Sequence, residues 1–169
     1  KTYSADSVLV ASCSADKAFD NDTGTAWISA STGFPHWVKV DLGSGVTKTA
    51  RKLRFYKSDA NQLKTFKLQG SNNDTDWTDI YSDVAPQSTG WFEYTFDNWT
   101  AYRYYRIYGT DSYDRQLNMN IVEAELMEGT ETQGTYAISG TRVKEIDISS
   151  AVATGGTKIE WLKTTPTNT

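Results

Sequence analysis

Hydrophobic and polar residues alternate along most of the first 128 positions of the chain. In the segment HWVKVDLG, for example, Val38 and Val40 fall on one side while Lys39 and Asp41 fall on the other. The same period of two recurs in the segments KLRFY, KTFKLQGS, WFEYTF, YRYYRIYG and NIVEAELM. Side chains of a β-strand point alternately to its two faces, so this period predicts half-buried strands, and a helical period is nearly absent.

Polar, turn-forming segments separate the predicted strands at the short intervals that are typical of β-sandwiches. The segment SNNDTDW, at residues 71–77, is rich in the Asn and Asp residues that favour turns. Short strands joined in this way predict an all-β fold, an antiparallel β-sandwich with only short helical pieces.

The pattern changes after Glu128, and this change predicts three parts of the chain. Residues 1–128 form the sandwich, and residues 129–135, GTETQGT, have no core-forming pattern and are predicted to be a linker. Residues 136–169 contain two strand-like segments, RVKEIDIS and TKIEWLK. Because two strands cannot bury an independent core, this part is either the start of a second β-rich module or a set of C-terminal strands that dock elsewhere.

Composition excludes several classes of function. The net charge of -4 argues against nucleic acid as the main partner, and no apolar run is long enough to insert into a membrane. The chain has one cysteine, Cys13, and one histidine, His36, so it has neither an internal disulfide nor a His/Cys zinc site. No Ser or Cys nucleophile is accompanied by the histidine and acid it would need. Acidic pairs are numerous, but enzyme activity is not expected.

The segment KAFDNDTGTAW, residues 17–27, concentrates oxygen donors in one short loop. Asp20 and Asp22 supply carboxylates, Thr25 supplies a hydroxyl, and Gly24 permits a tight turn. A calcium ion takes about six to eight such oxygens, so the loop needs a distant residue to complete a site. The alternative is a polar turn in which the two aspartates accept hydrogen bonds from backbone amides. Both interpretations stay open at this point.

Five segments in order resemble the discoidin domain, also called the coagulation factor 5/8 type C domain. They are KAFDNDTGTAW, WVKVDLG, FKLQGSNNDTDW, YRYYRI and EAEL, and together they extend over roughly Ala5 to Glu128. Family 32 carbohydrate-binding modules share this pattern. The resemblance implies an eight-stranded jelly-roll sandwich of the galactose-binding type, which binds sugars, lipids or proteins through loops at one end and has no catalysis of its own.

The resemblance also implies a structural Ca²⁺ that ties the first loop to the last strand. Carried over by position, the ligands are the backbone carbonyls of Lys17, Thr25 and Ala124 and the side chains of Asp20, Asp22, Thr25 and Glu125. Glu125 is the distant residue that the loop requires.

For glycans, the resemblance implies a site on the loops at residues 28–36, 56–62 and 109–118. The expected ligand-binding residues are Phe34 or Tyr113 as an aromatic platform and Lys57, Asn61 and Arg115 as polar donors. Two positions depart from the galactose-type pattern: Ile28 stands where a histidine is common, and Lys57 lacks the guanidinium fork of the usual arginine. The sequence therefore assigns no particular sugar.

Each of these residues also has a structural interpretation. For Lys57 and Arg115, a charged side chain in a solvent-exposed loop is as good an interpretation as contact with a ligand. A phenylalanine in the position of Phe34 is more often folded onto the edge of the core. His36 is expected to be half-exposed. Three tryptophans in strand patterns are expected in the core: Trp27, Trp37 and Trp77.

Two functions from different classes remain. The first is a non-catalytic carbohydrate-binding and adhesion module, whose partners are cell-surface or polysaccharide glycans. The alternative is a structural or receptor-binding domain of a phage tail fibre or bacterial surface protein, to whose β-sandwich modules residues 136–169 show a loose resemblance. Both predict part of a larger multi-domain protein located outside the cell, on a cell surface or on a virion.

Overall fold

The computed structural model describes residues 1–114 and 117–129. The predicted linker beyond Gly129, the predicted module at 136–169 and Arg115 therefore lie outside the described residues. Within them the chain forms ten β-strands and two short 3-10 helices. The strands are β1 (Thr2–Ala5), β2 (Trp27–Ile28), β3 (His36–Asp41), β4 (Ala50–Lys57), β5 (Thr65–Ser71), β6 (Thr78–Val84), β7 (Gly90–Thr95), β8 (Tyr104–Asp111), β9 (Asn120–Ile121) and β10 (Glu123–Glu128). The 3-10 helices span Ala11–Cys13 and Ala15–Ala18.

Eight of these strands form the two sheets of a sandwich, as the all-β jelly-roll prediction requires. One sheet has five strands in the order β1-β3-β8-β5-β6, and the other has three in the order β10-β4-β7. Every strand pair is antiparallel. The short strands β2 and β9 pair with each other as a separate ribbon.

Alternating residues of the two sheets meet in an aromatic and aliphatic core. Phe55 of β4 lies edge-to-face against Phe66 of β5, with ring centroids 5.1 Å apart, and stacks with Tyr94 of β7 at 5.6 Å. Phe55 and Phe66 are fully buried, as are Val38 and Leu68. The contact between Phe55 and Phe66 joins the three-stranded sheet to the five-stranded one, and burial on the inner faces confirms the predicted period of two.

The strand pattern was clear only where one face is buried. Strand β6 lies at the edge of its sheet and is exposed along most of its length, so its sequence, TDIYSDV, carries little alternation. Strand β2 has only two residues. The described residues contain no helix long and apolar enough to cross a membrane.

Two predictions about individual side chains were wrong. Trp27 is buried in the core as expected, but Trp37 and Trp77 are only partly buried and lie outside the core cluster. His36, expected to be half-exposed, has only 4% of its surface exposed. Its Nδ1 lies 2.6 Å from the Asp6 carboxylate, and its Nε2 lies 3.0 Å from the Ser31 carbonyl oxygen, so burial is offset by two polar partners.

Candidate functional site

Four loops are joined at one end of the sandwich by backbone hydrogen bonds. They are the connections at residues 29–35, 58–64, 85–89 and 112–119. The amide of Ser29 donates to the carbonyl of Met119 at 2.9 Å. These loops belong to strands of both sheets and of the β2–β9 ribbon, so the end of the sandwich forms one continuous surface.

The middle of this surface is built around Asn61. Its carbonyl accepts from the amides of Tyr113 and Asp114 at 3.0 and 3.2 Å. Its side-chain oxygen accepts from Gln87 Nε2 at 2.9 Å, which connects a third loop. The structure thus brings together Asn61 and Tyr113, which the sequence predicted as ligand-binding residues.

Tyr113 is partly buried, and its side chain reaches from its own loop to the loop at residues 85–89. Its hydroxyl donates to the carbonyl oxygen of Ala85 at 2.9 Å, and the ammonium groups of Lys57 and Lys64 lie 5.8 and 5.7 Å from its ring centroid. The ring therefore has a fixed orientation, which an aromatic platform for a sugar requires.

Lys57 has a different role from the one the resemblance implied. Its side chain is completely buried, and its ammonium donates to the carbonyl oxygens of Leu63 and Pro86, both at 2.8 Å, and of Ala60 at 3.4 Å. Burial lowers the pKa of Lys57 to about 8. The ammonium holds two of the loops together from below and does not present a donor to an incoming sugar.

Phe34 is folded onto the edge of the core, in agreement with its structural interpretation. Its ring packs against the core cluster and lies edge-to-face with His36, with centroids 5.6 Å apart. A side chain on Gly109 would clash with Met119, Leu63 and Phe34, so this glycine allows the loops to pack closely over β8. Arg115, the remaining predicted donor, lies outside the described residues.

The second predicted site is the loop that precedes β2, in which hydrogen bonds link most of the predicted ligands. Asp20 accepts from the hydroxyl of Thr25 at 2.9 Å and from the ammonium of Lys17 at 3.1 Å. Asp22 accepts from the amide of Gly24 at 2.8 Å. This hydrogen bond from a backbone amide to Asp22 is the one expected for a polar turn without a metal.

The acidic residue that reaches this loop from the last strand is Glu123. Its carboxylate accepts from the amide of Asn21 at 2.7 Å, and only 2% of its surface is exposed. Burial raises the pKa of Glu123. Glu125, the predicted ligand, instead forms a two-pronged ion pair with Arg54 at 2.6 and 2.8 Å. Ala124 between them is buried, opposite Phe55 of β4.

Glu123 is therefore the residue that sequence reasoning missed. Both glutamates lie on the same face of β10, so the alternation alone did not separate them. The deciding feature is that the loop covers the start of the strand, where Glu123 lies, whereas the Arg54 side chain of the neighbouring strand occupies the position beside Glu125.

The donors around this loop fit Ca²⁺ by chemical type, since all of them are carboxylate, hydroxyl or carbonyl oxygens. Their arrangement is less favourable. Among the residues that the structure describes, no three His, Cys, Asp or Glu side chains are close enough to hold a metal ion. Asp20 already forms an ion pair with the ammonium of Lys17, so a metal ion would have to displace that ammonium.

A cavity of about 450 Å³ lies beside the Asp20 loop and does not include the residues around Asn61. Its lining includes Tyr3 of β1 and Leu126 of β10, which belong to edge strands of the two sheets. Asn21 and Glu123 form part of the wall. The cavity thus opens between the two sheet edges, beside the Asp20 loop and away from Asn61 and Tyr113.

The β-sandwich and its first loop are those of a known domain family. Residues 3–125 match the family model of the F5/8 type C domain, so the chain belongs to this family. The matched range covers most of the residues that the structure describes and confirms the family suggested by the sequence motifs. No curated relative matches the chain by sequence.

Among solved structures, the sandwich resembles bacterial carbohydrate-binding modules. Chitosan-binding module 1 of a chitosanase/glucanase from Paenibacillus sp. IK-5 is 27% identical, with a TM-score of 0.65 over 75% of this chain and 94% of that one. Module 2 of the same enzyme, solved with chitotriose, is 25% identical, with a TM-score of 0.65 over 76% and 96%. The family 32 module of Clostridium perfringens NanJ, solved with galactose, is 18% identical, with a TM-score of 0.63 over 74% and 91%.

Proposed function

We propose that this domain is a non-catalytic carbohydrate-binding module that binds glycans through the loop surface around Asn61 and Tyr113. The observation that carries the proposal is the joining of three loops at Asn61, which holds an aromatic ring and several polar groups in fixed positions. Sugar sites combine these two elements, because a pyranose has apolar faces and a rim of hydroxyls. The similarity to chitosan-binding modules supports a glycan as the ligand.

We infer that the glycan contains glucosamine. The two chitosan-binding modules are the neighbours at 25% identity or more among those described above. The loop surface also carries the carboxylates of Asp59 and Asp114. Of the two lysines beside Tyr113, Lys57 is buried and Lys64 is paired with Asp111 at 3.3 Å. Carboxylates attract the protonated amines of chitosan.

Titration calorimetry with chitotriose, with galactose as the comparison sugar, tests this function. We expect chitotriose to bind, and Asn61→Ala and Asp59→Asn to weaken its binding by roughly tenfold each, since each variant removes a polar contact. Asp97→Asn is the matched control, because Asp97 is an exposed carboxylate that follows β7 at the other end of the sandwich.

Unchanged binding in both loop variants would refute the loop surface as the site. Absence of binding to chitotriose, galactose and a broad glycan array would favour the alternative, a structural or receptor-binding domain of a phage tail fibre or bacterial surface protein. Either function places the protein outside the cell, as part of a larger multi-domain protein.

We propose, further, that Ca²⁺ stabilises the loop before β2 through Asp20, Asp22, Thr25 and Glu123, with Glu123 in the role first assigned to Glu125. The supporting observation is the buried carboxylate of Glu123 against the loop. Bound calcium would offset the cost of burying this charge and would join the loop to β10.

Thermal unfolding with calcium and with EDTA tests this metal site. We expect calcium to raise the Tm of the chain and of Glu125→Gln, and to have no effect on Glu123→Gln. Direct calorimetric titration of Ca²⁺ into the unmodified chain provides a second readout that does not depend on the stability of the variants. No heat of binding and no Tm shift would refute the site.

A further inference from the structure

The outer face of the five-stranded sheet carries a group of aromatic and basic side chains that the loop site does not use. Trp37 lies on β3, Arg106 and Tyr108 lie on β8, and Trp77 ends the turn between β5 and β6. All four are partly buried. We call this group the Arg106 face.

The Arg106 guanidinium is at the centre of the group. Its central carbon lies 4.0 Å from the ring centroid of Trp77, 4.9 Å from that of Tyr108 and 5.9 Å from that of Trp37. Three rings around one guanidinium fix its orientation and leave partly exposed aromatic surface beside a positive charge.

The neighbouring basic residues on this face are all neutralised by carboxylates. Lys39 pairs with Asp74 at 2.5 Å, Lys67 with Asp79 at 2.6 Å, and Arg103 with Asp41 at 2.7 Å. Each of these three carboxylates therefore already has a cationic partner.

Arg106 differs from these neighbours. Its Nε donates to the side-chain oxygen of Gln69 at 2.6 Å, which is a neutral acceptor. In the described ranges no carboxylate pairs with its guanidinium, and the terminal nitrogens have no hydrogen-bond acceptor. Burial lowers the pKa of Arg106, because desolvation outweighs the opposing attraction of Asp74 and Asp79. Neither carboxylate pairs directly with the guanidinium, and Asp79 reaches it only through Gln69, whose Nε2 donates to Asp79 at 2.5 Å.

We propose that the Arg106 face is a second ligand-binding site, separate from the loop surface, and that it takes a glycan containing a uronic acid. The sugar carboxylate accepts from the terminal guanidinium nitrogens of Arg106, and the pyranose ring packs on the indole of Trp77 or Trp37. A guanidinium matches a carboxylate with two parallel hydrogen bonds, and burial strengthens both.

The surrounding charges favour this ligand over a denser polyanion. Asp74 and Asp79 flank the Arg106 face, each paired with a lysine, and the whole chain has a net charge of -4. A nucleic acid or a highly phosphorylated surface would meet these carboxylates without a cluster of free basic residues to offset them. A single carboxylate on an otherwise neutral ring needs only one cationic partner, and the guanidinium of Arg106 has terminal N–H groups available for it.

NMR titration of the ¹⁵N-labelled full chain with a short oligogalacturonate tests the site directly. We expect the indole N–H resonances of Trp77 and Trp37 to shift, and those of Trp91 and Trp99, which are exposed elsewhere on the sandwich, to stay in place. A neutral galactan oligomer of the same length should leave the Trp77 and Trp37 resonances unmoved. Equal shifts with both oligomers, or no shift with either, would overturn the proposal.

Two variants separate a specific site from general charge attraction. Arg106→Gln should weaken oligogalacturonate binding by roughly tenfold or more, since it removes a charge-assisted pair. Arg103→Gln removes the same charge from the same face, where Arg103 also lies against a ring, 4.7 Å from that of Tyr104, but already has Asp41 as its partner. Arg103→Gln should bind oligogalacturonate almost as tightly as the unmodified chain does. An equal loss of affinity in Arg103→Gln and Arg106→Gln would refute the site.

The last controls distinguish this site from the loop surface and from other anions. Asn61→Ala should leave oligogalacturonate binding unchanged. If this variant no longer bound oligogalacturonate, the ligand would bind at the loops, and the second site would be refuted. A sulfated galactan oligomer of equal charge should bind more weakly than oligogalacturonate. Stronger binding of the sulfated oligomer would overturn the assignment to uronic acids.

Discussion

Lys57 and Arg106 are two basic side chains that the fold removes from water in two regions of the molecule. Lys57 lies under the loops at the end of the sandwich, and its ammonium donates to three backbone carbonyls. Arg106 lies on the outer face of the five-stranded sheet and has one neutral partner, Gln69, besides the rings around it. Burial lowers the pKa of both residues.

The difference shows how partners, more than burial, decide the role of a charged residue. The three donors of an ammonium are all used at Lys57, so this residue stabilises the loops and has no capacity left for a ligand. The guanidinium of Arg106 has five N–H donors, and the described residues accept from only one nitrogen. Lys57 belongs to the framework of the loops, whereas Arg106 keeps N–H donors for the ligand proposed above.

The largest effect is expected for Lys57→Met. Methionine keeps the apolar stem, but removes the ammonium that donates to the carbonyls of Leu63, Pro86 and Ala60. The Pro86 carbonyl keeps the amide of Ser88 as a donor, at 2.8 Å. We expect the free energy of unfolding to fall by about 3 kcal/mol, measured by urea denaturation. Lys64→Met is the matched control, because its side chain is 39% exposed and pairs with Asp111 only at 3.3 Å. A loss below about 1 kcal/mol would contradict a framework role for Lys57.

A smaller, pH-dependent effect is expected at Arg103, the neighbour of Arg106 that has a counter-ion. The hydrogen bond from Arg103 lowers the pKa of Asp41 to about 2 from 3.8. The unfolded chain therefore binds more protons in this range, and the stability that the pair contributes above pH 4 is lost as the pH falls through about 4 to 2.

Asp41→Asn should remove this contribution, about 1 kcal/mol after allowance for solvent screening. The difference in unfolding free energy between the unmodified chain and Asp41→Asn should then shrink as the pH falls below about 4, and vanish below about pH 2. Denaturation at a series of acidic pH values measures it, and Arg103→Gln should show the same loss. A difference that does not depend on pH would show that the pair is not ionic in origin.

The smallest effect is expected for Arg106→Met. The substitution loses the contact with Gln69 and the rings, but also removes the cost of desolvating a charge that has no direct ion pair in the described residues. We expect the free energy of unfolding to change by less than about 0.5 kcal/mol. A loss as large as that of Lys57→Met in the same denaturation experiment would mean that Arg106 belongs to the framework as well, and would remove the contrast between the two residues.

Much of the fold was predictable because one physical requirement is repeated in every central strand. Each strand buries one face, so Val38 and Val40 of β3 or Phe55 of β4 alternate with polar residues. Edge strand β6 has no such requirement, and its sequence did not reveal it. The predicted boundary at 129–135 lies mostly outside the described residues and stays a prediction.

The candidate sites were less predictable, because each depends on which residue a distant segment covers. The loop around Asp20 and the partner strand were both recognised, but Glu123 and Glu125 have the same position in the alternation. Lys57 was expected on the surface because lysine usually lies there, and only the carbonyls of the adjacent loops make its burial possible. Trp37 and Trp77 were assigned to the core because they sit within strand patterns, but both are only partly buried.

The sequence by itself determined the all-β class, the F5/8 type C family and the segments that carry the loops, because period, turn composition and motif order are local properties of the chain. Tertiary structure alone decided that Lys57 is internal, that Glu123 and not Glu125 meets the first loop, and that Trp37, Trp77 and Tyr108 surround Arg106. Those facts depend on strand pairing and loop packing between residues far apart in the chain, and such contacts leave no period in the sequence.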